Sequence, residues 1–470
     1  MRPAEMGNPG LNDCSLWAGD IRKIGQGNFN SQILSLGGGS STQRSKSISR
    51  TFGLAAISMV SILALVGCTA DEGGEAVKEE PIDAGSPVVT RTYEKPPSAP
   101  TYKGDLHRTG YYDTTGIREL PEPEWTFKAG DWIVASPAID GETIYFGSKN
   151  KNFYAVDVAT GEEKWKFTTK NRIYSSPAVE GDSVYFGSKD DYVYSLDTVT
   201  GEERWKFQAD GNVDSSPAIS DGVLYVGSDD GHLYALDLET GEPTWNFKTG
   251  DIIWSSPAIY DGKVYFGGVD GWLYVLDAGT GQELWKFETT GGVYGAPVIG
   301  DEKVFFGQFS GDLIALDLTG REVWRFDTFT SYESSPAFAD GVLYAGTGKG
   351  RAYALDSESG ETIWEFQGAH GDGGVHVGAG GVMFAAPALV QDMLYVANLN
   401  GTVYGLDRDT GVSEVRSTGA AATQATNIPK RGLDAGLWEW SAKSTIRAAP
   451  VAYNGMLYVV SNDAFLYALR

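Results

Sequence analysis

The sequence predicts an all-β ring, an eight-bladed β-propeller of four-stranded antiparallel blades, and three observations carry that expectation. A phrase of four short apolar or aromatic runs recurs eight times, and from Trp125 to Trp285 it returns every 40 residues. A unit of this length with four such runs marks a propeller blade. The runs are separated by turn-forming residues, with no long amphipathic helical pattern. The two chain ends also carry complementary fragments of one repeat.

The elements follow in order within each copy. A small residue followed by proline marks the innermost strand, A, at Pro137, Pro177, Pro217, Pro257, Pro297, Pro336, Pro387 and Pro450. Strands crowd around the axis there, which favours small side chains. Strand B is a run such as Tyr145-Phe146-Gly147. Between A and B stand Asp140-Gly141, Glu180-Gly181, Asp221-Gly222, Asp261-Gly262, Asp340-Gly341 and Asn454-Gly455. Several of these are dipeptides that two-residue hairpin turns select, because φ must be positive there. Strand C is the type seen at Leu233 to Asp237. In the turn that follows, Asp157 and Thr160 tie up backbone amides with their side chains, and Gly161 supplies a left-handed position. Trp165 then opens strand D, where its ring is expected to pack between blades.

Closure follows from counting strands. Trp125-Thr126-Phe127 is a D strand with no A, B or C before it. At the other end Ala449-Pro450, Leu457 to Val459 and Leu466 to Leu469 supply A, B and C, and the chain stops at Arg470. One blade is therefore expected to draw its strands from both ends, which removes the exposed sheet edges that invite aggregation.

Composition narrows the function classes. The formal net charge of this 470-residue chain is −25, which argues against nucleic acid, whose affinity depends on Lys and Arg neutralising phosphates. Cys14 and Cys68 are the only cysteines and both precede the repeats. The ring thus carries no disulfide, thiol nucleophile, cysteine metal site or attached c-type haem.

Three segments are expected. Arg44, Lys46 and Arg50 precede an apolar run, Leu54 to Val66, that is short for a bilayer span and fits a signal-peptide core. It ends in Leu65-Val66-Gly67-Cys68, which resembles a bacterial lipobox with Cys68 as the lipid attachment point; an ordinary signal peptide beside a chance cysteine is the alternative. Residues 1–68 are read as an N-terminal extension with this signal peptide. Residues 69–120 are read as a flexible, acidic, proline-rich tether and leader, and 121–470 as the propeller. This arrangement places the protein outside the cytoplasm, lipid-anchored to the cell membrane or an outer membrane.

Candidate binding residues lie in the loops of one face, where the D–A and B–C connections meet. The opposite turns are nearly uniform in the first six copies. The residues just ahead of the prolines differ from copy to copy: Trp132, Arg172, Tyr174, Asp214, Trp254, Tyr294, Tyr332, Glu333 and Arg447. Aromatic, arginine and acidic groups converging on a funnel mouth suit a ligand or partner; unconstrained drift of loop residues is the alternative. Trp364 and Pro387 stand 23 positions apart, against 12 for Trp125 and Pro137. The insertion at 368–384 brings His370, Asp372 and His376, chemically able to take a divalent metal. Its Gly-rich backbone is poorly preorganised, so no metal is expected. A second insertion, 412–437, falls on the lower face.

The phrase Ala-x-Asp-x-x-Thr-Gly-x-x-x-Trp, at Ala155–Trp165 and Ala235–Trp245, resembles the tryptophan-docking motif of the pyrroloquinoline quinone (PQQ) repeat propeller superfamily. Ser195 and Val275 replace the first Ala, Ala315–Trp324 is one residue shorter, Ser359 replaces Thr, and Val415 stands where a Trp is expected. Gly104 to Gly110 is similar to a leader that often precedes such rings. The resemblance implies the fold and leaves two functional classes, quinoprotein dehydrogenases and BamB-like lipoproteins. No Cys-Cys pair and no Cys-x-x-Cys-His segment is present, so the BamB-like type is expected. That reading makes the chain a non-enzymatic, membrane-tethered monomeric ring without cofactor. It binds or scaffolds an envelope protein or carbohydrate, in the setting of envelope assembly. The alternative is a PQQ-dependent alcohol or sugar dehydrogenase with PQQ and Ca²⁺ in the funnel.

Overall fold

Each repeat folds as a meander of four antiparallel strands, A at the axis and D at the rim. In blade 1 these are Ala138–Asp140, Thr143–Gly147, Asn152–Asp157 and Glu163–Thr168. The computed structural model describes residues 101–470 apart from 329–331, 333, 349, 368–384, 412–413 and 416–435. Blades 2 to 6 repeat the meander through Gln367, and blade 7 is built from Ala388–Val390, Met393–Ala397, Thr402–Asp407 and Gly436–Ser441. The register pairs Gly405 with Trp438, so Trp438 fills the D-strand place where Val415 breaks the motif.

Burial explains the residue pattern. Strands B and C are covered on both faces by neighbouring blades, so Ile144, Phe146, Phe153 and Val156 have no exposed surface and the runs read as continuously apolar. Phe153 of blade 1 stacks on Phe186 of blade 2 with ring centroids 4.0 Å apart. Strand D, packed on one side only, alternates partly buried and exposed residues, as in Glu163–Thr168.

The A–B hairpins are of two kinds. In blade 3 both Asp221 and Gly222 have positive φ, as a type I′ turn requires. In blades 1 and 2 the turn residues are Gly141-Glu142 and Gly181-Asp182, with positive φ at the glycine alone. The expected dipeptides Asp140-Gly141 and Glu180-Gly181 are therefore one residue out. Asp140 and Glu180 end strand A, because glycine at the first turn position selects the type II′ geometry.

The tryptophans join blades. Trp165 Nε1 donates to the Thr198 carbonyl of the next blade at 3.0 Å, Trp245 to Ala278 at 2.9 Å and Trp324 to Ser357 at 2.9 Å. Each ring also lies against the glycine of the turn that it reaches. At Gly360 (φ 72°) an added Cβ would stand 2.7 Å from the Trp324 ring.

Closure is as expected. Pro123–Lys128 pairs antiparallel with Phe465–Leu469, bringing Trp125 opposite Ala468 and Phe127 opposite Leu466. Blade 8 thus takes strands A to C from the C-terminus and D from the N-terminal side, and Glu122 and Arg470 exchange backbone hydrogen bonds.

The leader departs from its expected role as part of a flexible tether. Its described part threads the channel: Lys103, Asp105, Arg108 and Thr109 are buried. The A strands are the inner edges of their sheets, and their axis-facing backbone groups need partners. Leader carbonyls supply them, with Leu106, His107, Thr109 and Gly110 accepting from Ile259, Ile299, Phe338 and Leu389 of blades 4 to 7. Arg108 donates to the carbonyls of Pro257 and Pro217, both at 2.9 Å, and Lys103 donates to Pro336. Tyr111–Tyr112 then runs parallel to blade 7 as an extra innermost strand. The leader fills the channel as a spindle. Cys68 and the rest of 69–100 lie outside the described residues, as does most of the two insertions.

Candidate functional site

The mouth is organised by distance from the A-strand proline. Four residues before it, Ile133, Ile173, Val213, Ile253, Val293 and Ile446 plug the blade interior with no exposed surface. One residue later the side chain turns toward the axis. Tyr174, Trp254, Tyr294 and Arg447, all at that register, line a funnel cavity of about 160 Å³ together with Val134. Asp214 shares the register, on the rim.

Serines line the cavity below them. Ser136 N–H donates to Ser176 Oγ, Ser176 N–H to Ser216 Oγ and Ser216 N–H to Ser256 Oγ, each at 3.0 Å. Ala296 N–H donates to Ser335 Oγ at 2.8 Å. These serines stand directly before the prolines, so the small residue that lets A strands crowd the axis also links blade to blade. Ser136 Oγ is buried and makes no hydrogen bond. Tyr102 of the leader also lines the cavity, its hydroxyl 3.4 Å from Ser335 Oγ.

The rim is a run of contacts from blade 1 to blade 5. Lys149 Nζ lies 3.8 Å from the centre of the Trp132 ring and 5.4 Å from that of Tyr174. Lys189 lies 4.8 Å from Tyr174 and forms a 2.6 Å ion pair with Asp214. Asp229 accepts from Trp254 Nε1 at 2.9 Å and from Asn212 at 2.8 Å. The Trp254 and Tyr294 rings meet at 5.4 Å and 54°, and Tyr294 meets Phe309 at 5.2 Å. Burial pushes the Asp214 carboxyl up to about 6, Asp229 adds to the rise, and Lys189 opposes it. Asp214 in turn holds the Lys189 ammonium above its ordinary range, against the desolvation that lowers it. At neutral pH the pair is ionised.

The nine sequence candidates thus divide. Tyr174, Trp254, Tyr294 and Arg447 share the cavity, while Trp132 and Asp214 sit on the rim. Arg172 is exposed, offering its carbonyl to the Lys189 N–H. Tyr332 is a correction: its ring is 1% exposed and fills the blade interior against Gly307. It stands four residues before Pro336, the register that carries Ile or Val elsewhere, and that alignment is the signal that reveals it. Glu333 lies outside the described residues, as do His370, Asp372 and His376 of the metal reading. Sequence reasoning missed the hydroxyls of Ser136, Ser176, Ser216 and Ser256, which recur for packing reasons that hide a second role. It also missed Tyr102.

An eight-bladed ring with tryptophan-docked blades defines the class of protein, a β-propeller whose repeats are similar to those of the PQQ-like superfamily. Within that class, the family model for outer membrane protein assembly factor BamB matches residues 269–434, and a model described as the β-propeller of β-alanine-activating enzyme matches 121–328. No curated protein sequence matches the chain at a significant level. Among solved structures, BamB from Moraxella catarrhalis is similar with a TM-score of 0.60 and 17% identity, over 75% of this chain and 100% of that one. Quinohemoprotein alcohol dehydrogenase from Comamonas testosteroni reaches 0.64 at 14% identity, over 79% and 80%. A europium-containing methanol dehydrogenase reaches 0.63 at 13% identity, over 78% and 89%. At these identities the likeness is one of fold.

The described residues do not fit a quinone with its calcium ion. The cavity of about 160 Å³ is smaller than the roughly 300 Å³ at which ligand pockets for drug-sized molecules begin. Calcium takes six or more oxygen ligands, and no group of three His, Cys, Asp or Glu placed to hold a metal occurs among the described residues.

Proposed function

We propose that the protein is a non-enzymatic scaffold of the bacterial envelope whose funnel mouth binds a protein partner, with the ring held outside the cytoplasm by a lipid on Cys68. The observation that carries this reading is the contrast between the blades and their upper loops. Eight near-identical blades, closed on themselves and filled by their own leader, present one face on which Trp132, Tyr174, Trp254, Tyr294 and Arg447 all differ. Aromatic and arginine side chains around a recessed centre are the residue types that dominate binding energy at protein interfaces. The match of residues 269–434 to the BamB family supports an envelope-assembly setting, and the likeness to solved BamB supports a scaffold of this size.

The test is capture from cross-linked envelopes with the full chain. A reproducible partner is expected, lost when Trp254, Tyr294 and Arg447 are changed together to Ala. Recovery unchanged by the triple substitution rejects the funnel mouth. Mass spectrometry of the mature N-terminus checks the anchor: a diacylglyceryl cysteine at Cys68 supports it, and an unmodified thiol rejects it. The dehydrogenase reading rests on fold likeness to the quinoproteins and is tested separately. Turnover of an alcohol or aldose with added PQQ, Ca²⁺ and a dye acceptor would establish it.

A further inference from the structure

We propose that the cavity at the base of the funnel is a sugar site that holds a single pyranose ring. The inference is independent of the protein-partner reading and rests on three features of the cavity wall. The first is size. About 160 Å³ is the space of roughly five waters at liquid density, suited to one six-membered ring with its hydroxyls and too small for a disaccharide.

The second feature is the balance of donors and acceptors. Ser176, Ser216 and Ser256 each accept one backbone N–H from the preceding blade, which leaves the hydroxyl proton and a second lone pair. Ser136 Oγ, 2% exposed at the residue level, has neither donor nor acceptor around it. A hydrocarbon guest would leave that hydroxyl unsatisfied at a cost. A sugar hydroxyl, which both gives and takes a proton, matches serine hydroxyls of the same character. Arg447 brings a guanidinium to the same cavity, so an anion is compared with neutral sugars in the test.

The third feature is the aromatic pair. Trp254 and Tyr294 stand at 54° with centroids 5.4 Å apart, and the Trp254 indole is fixed by its bond to Asp229. Together they form a preset wedge. The pair borders the same cavity as Ser136 and Ser176, which places aromatic carbon and hydroxyl groups within reach of one pyranose ring. Both halves of an amphipathic ring are thereby matched, which neither the serines nor the aromatics do alone.

The experiment is saturation-transfer NMR on the purified full chain with glucose, galactose, N-acetylglucosamine and glucuronate, and acetate as the anion control. Saturable transfer from at least one hexose is expected, with the ring C–H protons most strongly affected. Trp254→Leu should weaken binding about tenfold, the scale of losing one aromatic contact, and Ser136→Ala by a smaller factor. Val199→Ala, in the opposite-face C–D turn, should leave it unchanged. If Trp254→Leu fails to fold, Ser136→Ala decides. Absence of saturable transfer from every hexose overturns the proposal. So does binding unaffected by either cavity variant, or competition by acetate without binding of neutral sugars. Partner capture from envelopes is a separate measurement, so the failure of one reading leaves the other to be judged by its own result.

Discussion

The Trp438 indole N–H donates to the backbone carbonyl of Ile117, 321 positions earlier, at 2.8 Å. In the other seven blades the docking tryptophan reaches a C–D turn of the following blade, as Trp364 reaches the Arg408 carbonyl at 2.9 Å. Blade 8 has no such turn, because its strand C ends at Leu469 and its strand D begins near the other end of the chain. The leader supplies the missing acceptor. A Cβ added at Gly116 would stand 2.5 Å from Met393 Cγ, so Gly116→Val should displace this segment. The expected result is a lower melting temperature, with faster amide exchange in Gly436–Ser441 and Met456–Val460 than in blades 2 and 3.

The docking geometry predicts a matched pair of losses at one junction. Trp324→Ala removes a buried ring and its bond to Ser357 and should cost about 3–5 kcal/mol. Gly360→Ala forces a Cβ against the same ring at a positive φ and should cost about 1–3 kcal/mol. Urea unfolding of the two variants and their double mutant checks this. The double mutant should lose less than the sum, because without Trp324 the added methyl has no ring to meet.

Arg108 bridges the leader to two blades. Burial lowers its guanidinium to about 10, so it stays charged at neutral pH while bonded to the Pro217 and Pro257 carbonyls and to Tyr102 O at 2.7 Å. Arg108→Leu leaves the Pro257 and Tyr102 carbonyls unpaired and the Pro217 carbonyl with only a 3.5 Å bond from Thr101, and should cost about 3 kcal/mol or more. Arg204→Leu, which breaks exposed pairs with Asp197 and Asp182, should cost about 1 kcal/mol or less. Comparison of their unfolding midpoints separates the spindle from the surface.

Asp214 sets a pH dependence whose sign is fixed by the direction of its shift. Its carboxyl titrates near 6 when folded against an ordinary 3.8, so the native state holds the proton more tightly than the unfolded chain. Its contribution therefore favours folding below pH 3.8 and is lost as pH rises toward 6. The difference is up to about 3 kcal/mol. Asp214→Asn should gain stability relative to wild type between pH 4 and pH 7. Denaturant titrations at both values measure it, and a constant difference would contradict the buried setting.

The ring was legible because its determinants are local and repeated. Proline after a small residue, the hairpin dipeptides and the tryptophans each act within a blade or on the next, so eight copies spell the same rule. The closure was legible for the same reason, as a missing strand at each end. The site was only partly legible. Tyr174, Trp254, Tyr294 and Arg447 announce themselves by varying at a fixed register. Tyr332 varies as well, yet it faces inward, because chemical type alone does not tell a rim residue from an interior plug. The spindle was illegible for another reason: Arg108 and Lys103 contact main-chain carbonyls, which carry no side-chain signature. Their partners lie 109 to 233 positions away.

The spindle has a mechanical consequence. Tension applied ahead of Thr101 meets the bonds of Lys103 and Arg108 before it reaches the D strand that seals blade 8. A pull on the N-terminal side of the leader is therefore shared among blades 3 to 7, and the seam at Trp125 and Ala468 is sheltered from peeling.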